Sequence, residues 1–387
     1  MKEKKQKYLY ILLYIVSYVS FSFGMTQFIP FLSKIGYDSM ERGILLSSLA
    51  VMTIILQMIF GFLSDKYRTV KKFMVAALVI YAVAAYLFYA LETQYFVYHM
   101  IAIGFSGGLI NTTCGLSDAW ILSSNEYLRE RLSFIKAFGS IGWALGSLII
   151  PMIIFKFGYK GAGDGILFLC IISIVIMYFI KDVNRTHSKG KDKAGMSDIK
   201  QLIINRKYSL LVFILFLMYC AVITNNIVVV DKMLILGATN LQIGYKWSIQ
   251  SVIEIPTYLF GAYFLKNINH HLLLKISATA LTIQFVLFGS CNSITGIIIL
   301  SGFQMLTTPL LLITSKTLIY KLTSEKMKST GQLFALSIFT GLSSLLVPIC
   351  AGTITRYSNV NITLFVAAFL SAIAFVLING LEKMNRY

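Results

Sequence analysis

Charge is scarce in this 387-residue chain, and acid is scarcer than base: 13% of the residues are charged, with 16 Asp and Glu against 34 Lys and Arg. Alongside 57% apolar residues and a mean hydropathy of +0.76, so few charges cannot clothe a surface facing water. A set of soluble domains is therefore excluded, and the solvent is lipid. Cysteine is sparse too. Cys114, Cys170, Cys220, Cys291 and Cys350 are isolated, odd in number and placed in or at the ends of apolar runs. They support neither a disulfide framework nor a metal site, and free buried thiols are expected. Prolines number only 5, namely Pro30, Pro151, Pro256, Pro309 and Pro348, and each falls where it either kinks a spanning helix or ends one. With no Ser/His/Asp set, metal-ligand spacing or phosphate loop at one membrane depth, neither an enzyme nor a cofactor is expected.

What the chain has in abundance is long apolar runs. A helix needs about 20 predominantly apolar residues to cross the hydrocarbon. Such runs lie near 8–33, 42–63, 72–91, 95–123, 133–156, 164–180, 208–234, 242–265, 273–291, 294–318, 329–354 and 360–381. The expected fold class is an all-α membrane protein of twelve transmembrane helices. Of the 34 cations, 25 then fall on the side of the N-terminus, 7 on the other and 2 (Lys136 and Lys316) within spans, which is the positive-inside signature. Both termini and the segment 181–207 are thus expected in the cytoplasm, in the plasma membrane. The basic balance reports orientation, with anionic lipid headgroups as minor partners and no nucleic acid. Residues 1–7 are basic and lead into an apolar run too long for a signal-peptide core, so this run is expected to stay as the first helix.

The polar segment 181–207 separates six spans from six. The expected organisation is an N-terminal bundle over 1–180, a cytoplasmic linker over 181–207 and a C-terminal bundle over 208–387. The hairpin after the second span reads Gly61-Phe62-Leu63-Ser64-Asp65-Lys66-Tyr67-Arg68, followed by Lys71 and Lys72. It resembles the Gly-x-Leu-(Ala/Ser)-Asp-(Arg/Lys)-x-Gly loop of major facilitator superfamily transporters, with Arg68 where that family has Gly. The resemblance implies two pseudo-symmetric six-helix bundles that rock around a midplane site. It also implies a gating role for Gly61, Asp65 and Lys66, with Asp65 past the end of the second helix. The second half carries a degraded echo, Gly261 to Lys266 followed by His270, His271 and Lys275, without the acidic residue.

Ionisable groups at mid-membrane cost at least about 2.5–3.5 kcal/mol and need a partner or a wet cavity. Asp118, Lys136, Asp231 and Glu254 are the candidates. Asp118 and Lys136 flank a hairpin centred near residue 127 and should share a depth. Asn111, Cys114 or Gly115, and Asp118 form one stripe, and Lys136, Gly139, Gly142 or Trp143, and Gly146 form another. Two readings stay open: a structural salt bridge tying these two helices through a Gly-lined contact, or a solute site in which Trp143 offers a flat face for a ring. Trp247, Gln250 or Ser251, and Glu254 line the eighth span. Glu254 is either a proton carrier or a structurally held carboxylate. Asp231, beside Lys232, is an outer-gate or structural residue, with the structural role preferred. Glu126, Arg129, Glu130 and Arg131 read as solvated loop charges.

The run from Lys136 to Gly146 also resembles the fifth helix of the oligosaccharide:proton symporter (lactose permease-like) group, whose pattern is Arg-x-(Phe/Trp)-Gly-x-x-Gly-Trp-Ala. That resemblance implies substrate binding by Asp118, Lys136 and Trp143, with Lys in place of Arg losing the bidentate fork. It further makes Asn226 a cavity candidate and Glu254 the counterpart of an essential eighth-helix carboxylate; from the residues themselves Gln304 either bonds a polar solute or packs helices, and Glu254 and Asp118 are the substrate-site carboxylates that would carry a proton. The group's charged coupling residues of the ninth and tenth helices are absent, with Gln284, Ser301, Gln304 and Thr307 in their place. The expected function is alternating-access transport of a small polar solute such as a sugar, oligosaccharide or nucleoside, coupled to protons, by a monomer. An uncoupled uniporter is one alternative. A multidrug or metabolite exporter, with an aromatic cavity from Tyr14, Tyr18, Phe21 and Phe28, is another.

Overall fold

In a computed structural model of the chain, residues 2–182, 202–323 and 328–386 are described, so most of the expected 181–207 linker lies outside the described residues. Lipid offers no partner to backbone groups, and each segment closes its hydrogen bonds internally. The described residues accordingly contain helices and no strand. The elements are α1 (Lys2–Met25), α2 (Phe28–Lys34), α3 (Ser39–Lys66), α4 (Lys71–Ala90), α5 (Phe96–Leu122), α6 (Glu126–Arg129) and α7 (Leu132–Phe179). After the linker come α8 (Arg206–Ile235), α9 (Asn240–Asn267), α10 (His270–Ser290), α11 (Ile294–Leu300), α12 (Thr308–Leu322), α13 (Lys328–Leu336), α14 (Ser343–Tyr357) and α15 (Val360–Arg386).

Among the described residues, 10 helices are long and apolar enough to cross a membrane, where twelve were expected. The difference has two sources. The expected fifth and sixth spans are one element, α7, whose backbone breaks at Gly158 with φ +68°. The expected eighth span is α9, 28 residues long, whose polar residues Lys246, Gln250, Ser251 and Glu254 keep it out of that set. Pro151, Pro256 and Pro348 lie inside helices, whereas Pro309 stands in the first turn of α12.

One turn is built twice. Gly36 (φ +99°) ends the first span, and Asp38 with Glu41 then forms a reciprocal capping box at the start of α3. Gly237 (φ +82°) ends α8 likewise, and Thr239 with Gln242 exchange backbone bonds of 2.9 and 3.3 Å at the start of α9. Only glycine enters that left-handed conformation without strain.

The chain divides into two compact units, Met1–His187 with Gly237–Ile255, and Ser188–Leu236 with Pro256–Tyr387. In the first, α1 packs along α7, α3 along α5, and α4 against both α5 and α7. The glycine stripe of α7 faces α1, not its hairpin partner α5: a Cβ on Gly142 or Gly146 would strike the Ile15 or Val19 carbonyl of α1. Aromatic rings fill this unit, with Phe21 against Tyr81 and Phe28 against Phe88 and Tyr89. In the second unit α10 and α8 pack on α15, and α14 packs on α8. There the buried Lys232 donates to the carbonyls of Phe288 and Gly289 at 2.6 and 3.0 Å, closing the C-terminal end of α10.

The hairpin after α3 departs from expectation at one point. The helix continues to Lys66, so Asp65 lies in its last turn and not past its end. The chain then reverses at Arg68, whose φ of +54° is the left-handed value. An arginine there pays a steric cost that the related family's glycine avoids. Arg68→Gly should therefore stabilise the purified protein by about 1 kcal/mol. A higher thermal unfolding midpoint is the expected reading, and an unchanged or lower one would show the turn to be unstrained.

Candidate substrate site

Asn125 accepts the Leu128 amide and starts α6, the short connector that turns α5 back into α7. The hairpin brings Asp118 and Lys136 together: Lys136 Nζ donates to Asp118 Oδ2 at 2.5 Å. The Tyr14 hydroxyl of α1 donates to Oδ1 at 2.8 Å, so both carboxylate oxygens are engaged. Tyr14 is itself buried and stacks on Tyr18, their centroids 5.6 Å apart. The pair is not sealed, since the side chains of Lys136 and Asp118 keep 44% and 28% of their surface.

That open surface does not point where the lipid-like residues point. Phe134, Ile141, Leu145, Ile149 and Met152 are the exposed apolar residues of this stretch of α7. At 100° per residue they cluster about 180° around the helix from Lys136, Ser140 and Trp143. The polar stripe therefore faces away from the side that acyl chains would cover.

Residues 240–255 of α9 lie along that stripe, antiparallel to α7. Gly244 abuts the Ser147 carbonyl, Trp247 meets Trp143 edge-on at 6.4 Å, and Ser251 Oγ donates to the Ser140 carbonyl at 2.8 Å. Continued one helical turn beyond Ser251 and Ser140, the same register would bring Glu254 to the level of Lys136. Toward the two indoles the wall carries donors: Lys246 Nζ is buried 3.5 Å from the Trp247 ring centroid. The Trp247 Nε1 and Gln250 Nε2 atoms are buried with no hydrogen-bond partner among the described residues.

The other expected residues fall in the second unit. Gln304 is buried, its Oε1 accepting from Asn225 at 3.3 Å and from Thr307 at 3.4 Å. Asn226, the expected neighbour, is exposed. Around Gln304 the expected tenth span is discontinuous: α11 gives way to a 3₁₀ turn over Ser301–Leu306, and Thr307 leaves helical geometry before α12 begins. The freed carbonyls are met by side chains. Gln284 bonds Leu300 O, Thr257 bonds Met305 O and Ser277 bonds Thr307 O. Asp231 is buried beside Lys232. At the expected gate Asp65 and Lys66 are exposed, the Lys66 ammonium lying 5.5 Å from the Tyr67 ring centroid, and the space around Gly61 is open.

Two contributors escape sequence reading. Tyr14 reads only as one of several aromatic rings of α1, with nothing to mark its hydroxyl as the donor to Asp118. Lys246 lies near the start of a span, where a lysine counts as an edge cation.

The sequence profile of the family described as MFS_1 like matches residues 9–377. No curated protein sequence matches the chain. Among solved structures, a point mutant of the nucleoside transporter NupG superposes with a TM-score of 0.84 at 14% identity, over 97% of this chain and 99% of that one. NupG itself gives 0.79 at 16% identity, over 99% of each chain. The POT family transporter PepTSo gives 0.73 at 12% identity, over 99% of this chain and 98% of that one.

The register of α9 on α7 can be tested without knowing the solute. With the 5 native cysteines replaced, Lys136→Cys with Glu254→Cys should cross-link through a short bifunctional thiol reagent. Lys136→Cys with Trp247→Cys, two helical turns off register, should not. Equal yields from both pairs would refute the alignment.

Proposed function

The chain belongs to the MFS_1 like family, whose members are major facilitator superfamily membrane transporters, and on that premise we propose that it carries a small polar solute by proton-coupled symport. The observation that carries the proposal is the half-open Asp118–Lys136 pair, 2.5 Å across, set beside two indole rings on a stripe turned from the lipid side. A charged pair suits hydroxyl groups and an indole face suits a flat ring. A nucleoside or sugar presents both. In this reading Asp118, Lys136 and Trp143 hold the solute from the first half of the chain, Asn226 and Gln304 from the second, and Glu254 takes part in both binding and coupling.

The charge balance around Lys136 supplies the coupling argument. The site we assign holds two carboxylates, Asp118 and Glu254, and a proton on either one lowers the negative charge that the site must carry. Moving a neutral cluster through a low-dielectric passage is cheaper than moving a charged one. Proton and solute thus travel together, with the inward gate formed around Gly61, Asp65 and Lys66. We place both termini in the cytoplasm on the cation asymmetry of the loops, in a monomer of the plasma membrane whose orientation alone that asymmetry supports. The broad-ligand exporter is less well supported: Tyr14, Phe21 and Phe28 are each 1% exposed and belong to the packed interior of the first unit.

Counterflow in proteoliposomes, using a panel of nucleosides, sugars and cationic dyes, tests the substrate class. Exchange of a nucleoside or sugar is expected, whereas exchange of dyes alone would transfer the reading to efflux. Glu254→Gln should abolish uphill accumulation driven by a proton gradient while leaving counterflow within a few-fold of the parent. Accumulation that survives this change would remove Glu254 from coupling, and a parent that never accumulates solute would make the carrier a uniporter.

A further inference from the structure

The loop after α9 is the degraded repeat of the loop after α3, and the two solve the same problem differently. In the first unit, the backbone start of α4 is met by a carboxylate from the chain itself. Asp182 accepts from Thr69 Oγ1 at 2.5 Å and from the Lys71 amide at 3.4 Å, and Lys71 Nζ reaches the Tyr178 and Ile180 carbonyls. The positive end of α4 is thereby neutralised. In the second unit α10 starts at the corresponding place, after α9, with Asn269 as its cap.

Here the surroundings are cationic. A cleft of about 550 Å³ opens between the turn Leu265–His271 and the end of α12 at Leu318, Lys321 and Leu322. Its walls carry Lys266, His270, His271 and Lys321, and among the described residues lining it there is no carboxylate. Lys321 Nζ lies 3.4 Å from His270 Nδ1, so two basic groups converge on each other. On α15, the carboxylate of Glu382 is engaged by Lys275 at 2.5 Å. Tyr263, Leu272 and Tyr320, all exposed, border this end of the helices and mark it as the edge of the lipid-facing surface.

We infer that this cleft binds the phosphate of an anionic membrane lipid, which supplies at the start of α10 the negative charge that Asp182 supplies at the start of α4. Lys266 and Lys321, both exposed on the rim, contact the phosphate oxygens. His270 and His271 line the inner wall. The lipid's glycerol and acyl chains leave the cleft past Leu272 and Tyr320. A membrane source is favoured over a soluble one because the cleft opens at a border of exposed aromatic and aliphatic side chains, where a lipid headgroup is already concentrated.

The test uses the full-length protein purified in neutral detergent. Native mass spectrometry and thermal unfolding are read during titration with short-chain phosphatidylglycerol, short-chain phosphatidylcholine, glycerol 3-phosphate and inorganic phosphate. Phosphatidylglycerol should be retained and should raise the unfolding midpoint, and phosphatidylcholine should do neither. Lys266→Gln with Lys321→Gln should weaken phosphatidylglycerol binding about tenfold or more, with an unchanged elution profile in size-exclusion chromatography. Lys4→Gln with Lys5→Gln, on a different basic segment, should leave it as in the parent. Equal affinity of the rim variant and the parent overturns the site. Glycerol 3-phosphate or inorganic phosphate binding as well as the lipid overturns its membrane source.

Discussion

The ion pair between Asp118 and Lys136 is the constraint around which the first unit is arranged. Two charges deep in a spanning hairpin cost several kcal/mol each unless they are paired, hydrogen-bonded and in reach of water. The pairing is direct at 2.5 Å. The hydrogen bond from Tyr14 comes from a third helix, and α1 can approach α7 closely enough only because Gly142 and Gly146 leave its backbone room. A glycine stripe whose spacing suggests a joint between the hairpin's own arms is thus what brings a tyrosine to the carboxylate from the other side.

Much of this is legible in the residues alone. Nine residues on either side of a turn place Asp118 and Lys136 at one depth, and helical periodicity puts Trp143 on the lysine's face. The remainder is hidden for definite reasons. The register of α9 on α7 is a tertiary fact, and nothing in the spacing of Trp247, Ser251 and Glu254 says which helix they meet. Lys246 carries no sign of burial in a sequence that places it near a span's start. Asp65 reads as lying beyond its helix because apolarity ends at Leu63, whereas the backbone continues helical to Lys66. Arg68 shows the converse: a family's glycine has a conformational reason, a positive φ, that appears only in the backbone.

The second unit treats polar residues in another way. Gln284, Thr257 and Ser277 bond backbone carbonyls released where the helix around Gln304 breaks. They keep an irregular backbone satisfied inside the membrane. Breaks of this kind are where transporters of several folds place solute and ion sites. The two halves differ here, the first carrying the Asp118–Lys136 pair and the second neutral hydrogen-bonding groups around its helix break, besides the buried Asp231 and Lys232. Their kinship survives in the doubled turn at Gly36 and Gly237, each followed by a capping box.

The central claim is that Lys136 and its partners are tolerated because they line a wet, solute-sized chamber. It is tested most directly by the water accessibility of single cysteines placed along α7 in a cysteine-free background. Ser140→Cys, on the stripe of Lys136 and Trp143, should react rapidly with a hydrophilic thiol reagent in native membranes, while Leu145→Cys, on the opposite face, should stay unmodified. A Ser140→Cys thiol as inert as that of Leu145→Cys would mean that the charges sit in a dry contact, and no carrier mechanism could be built on them.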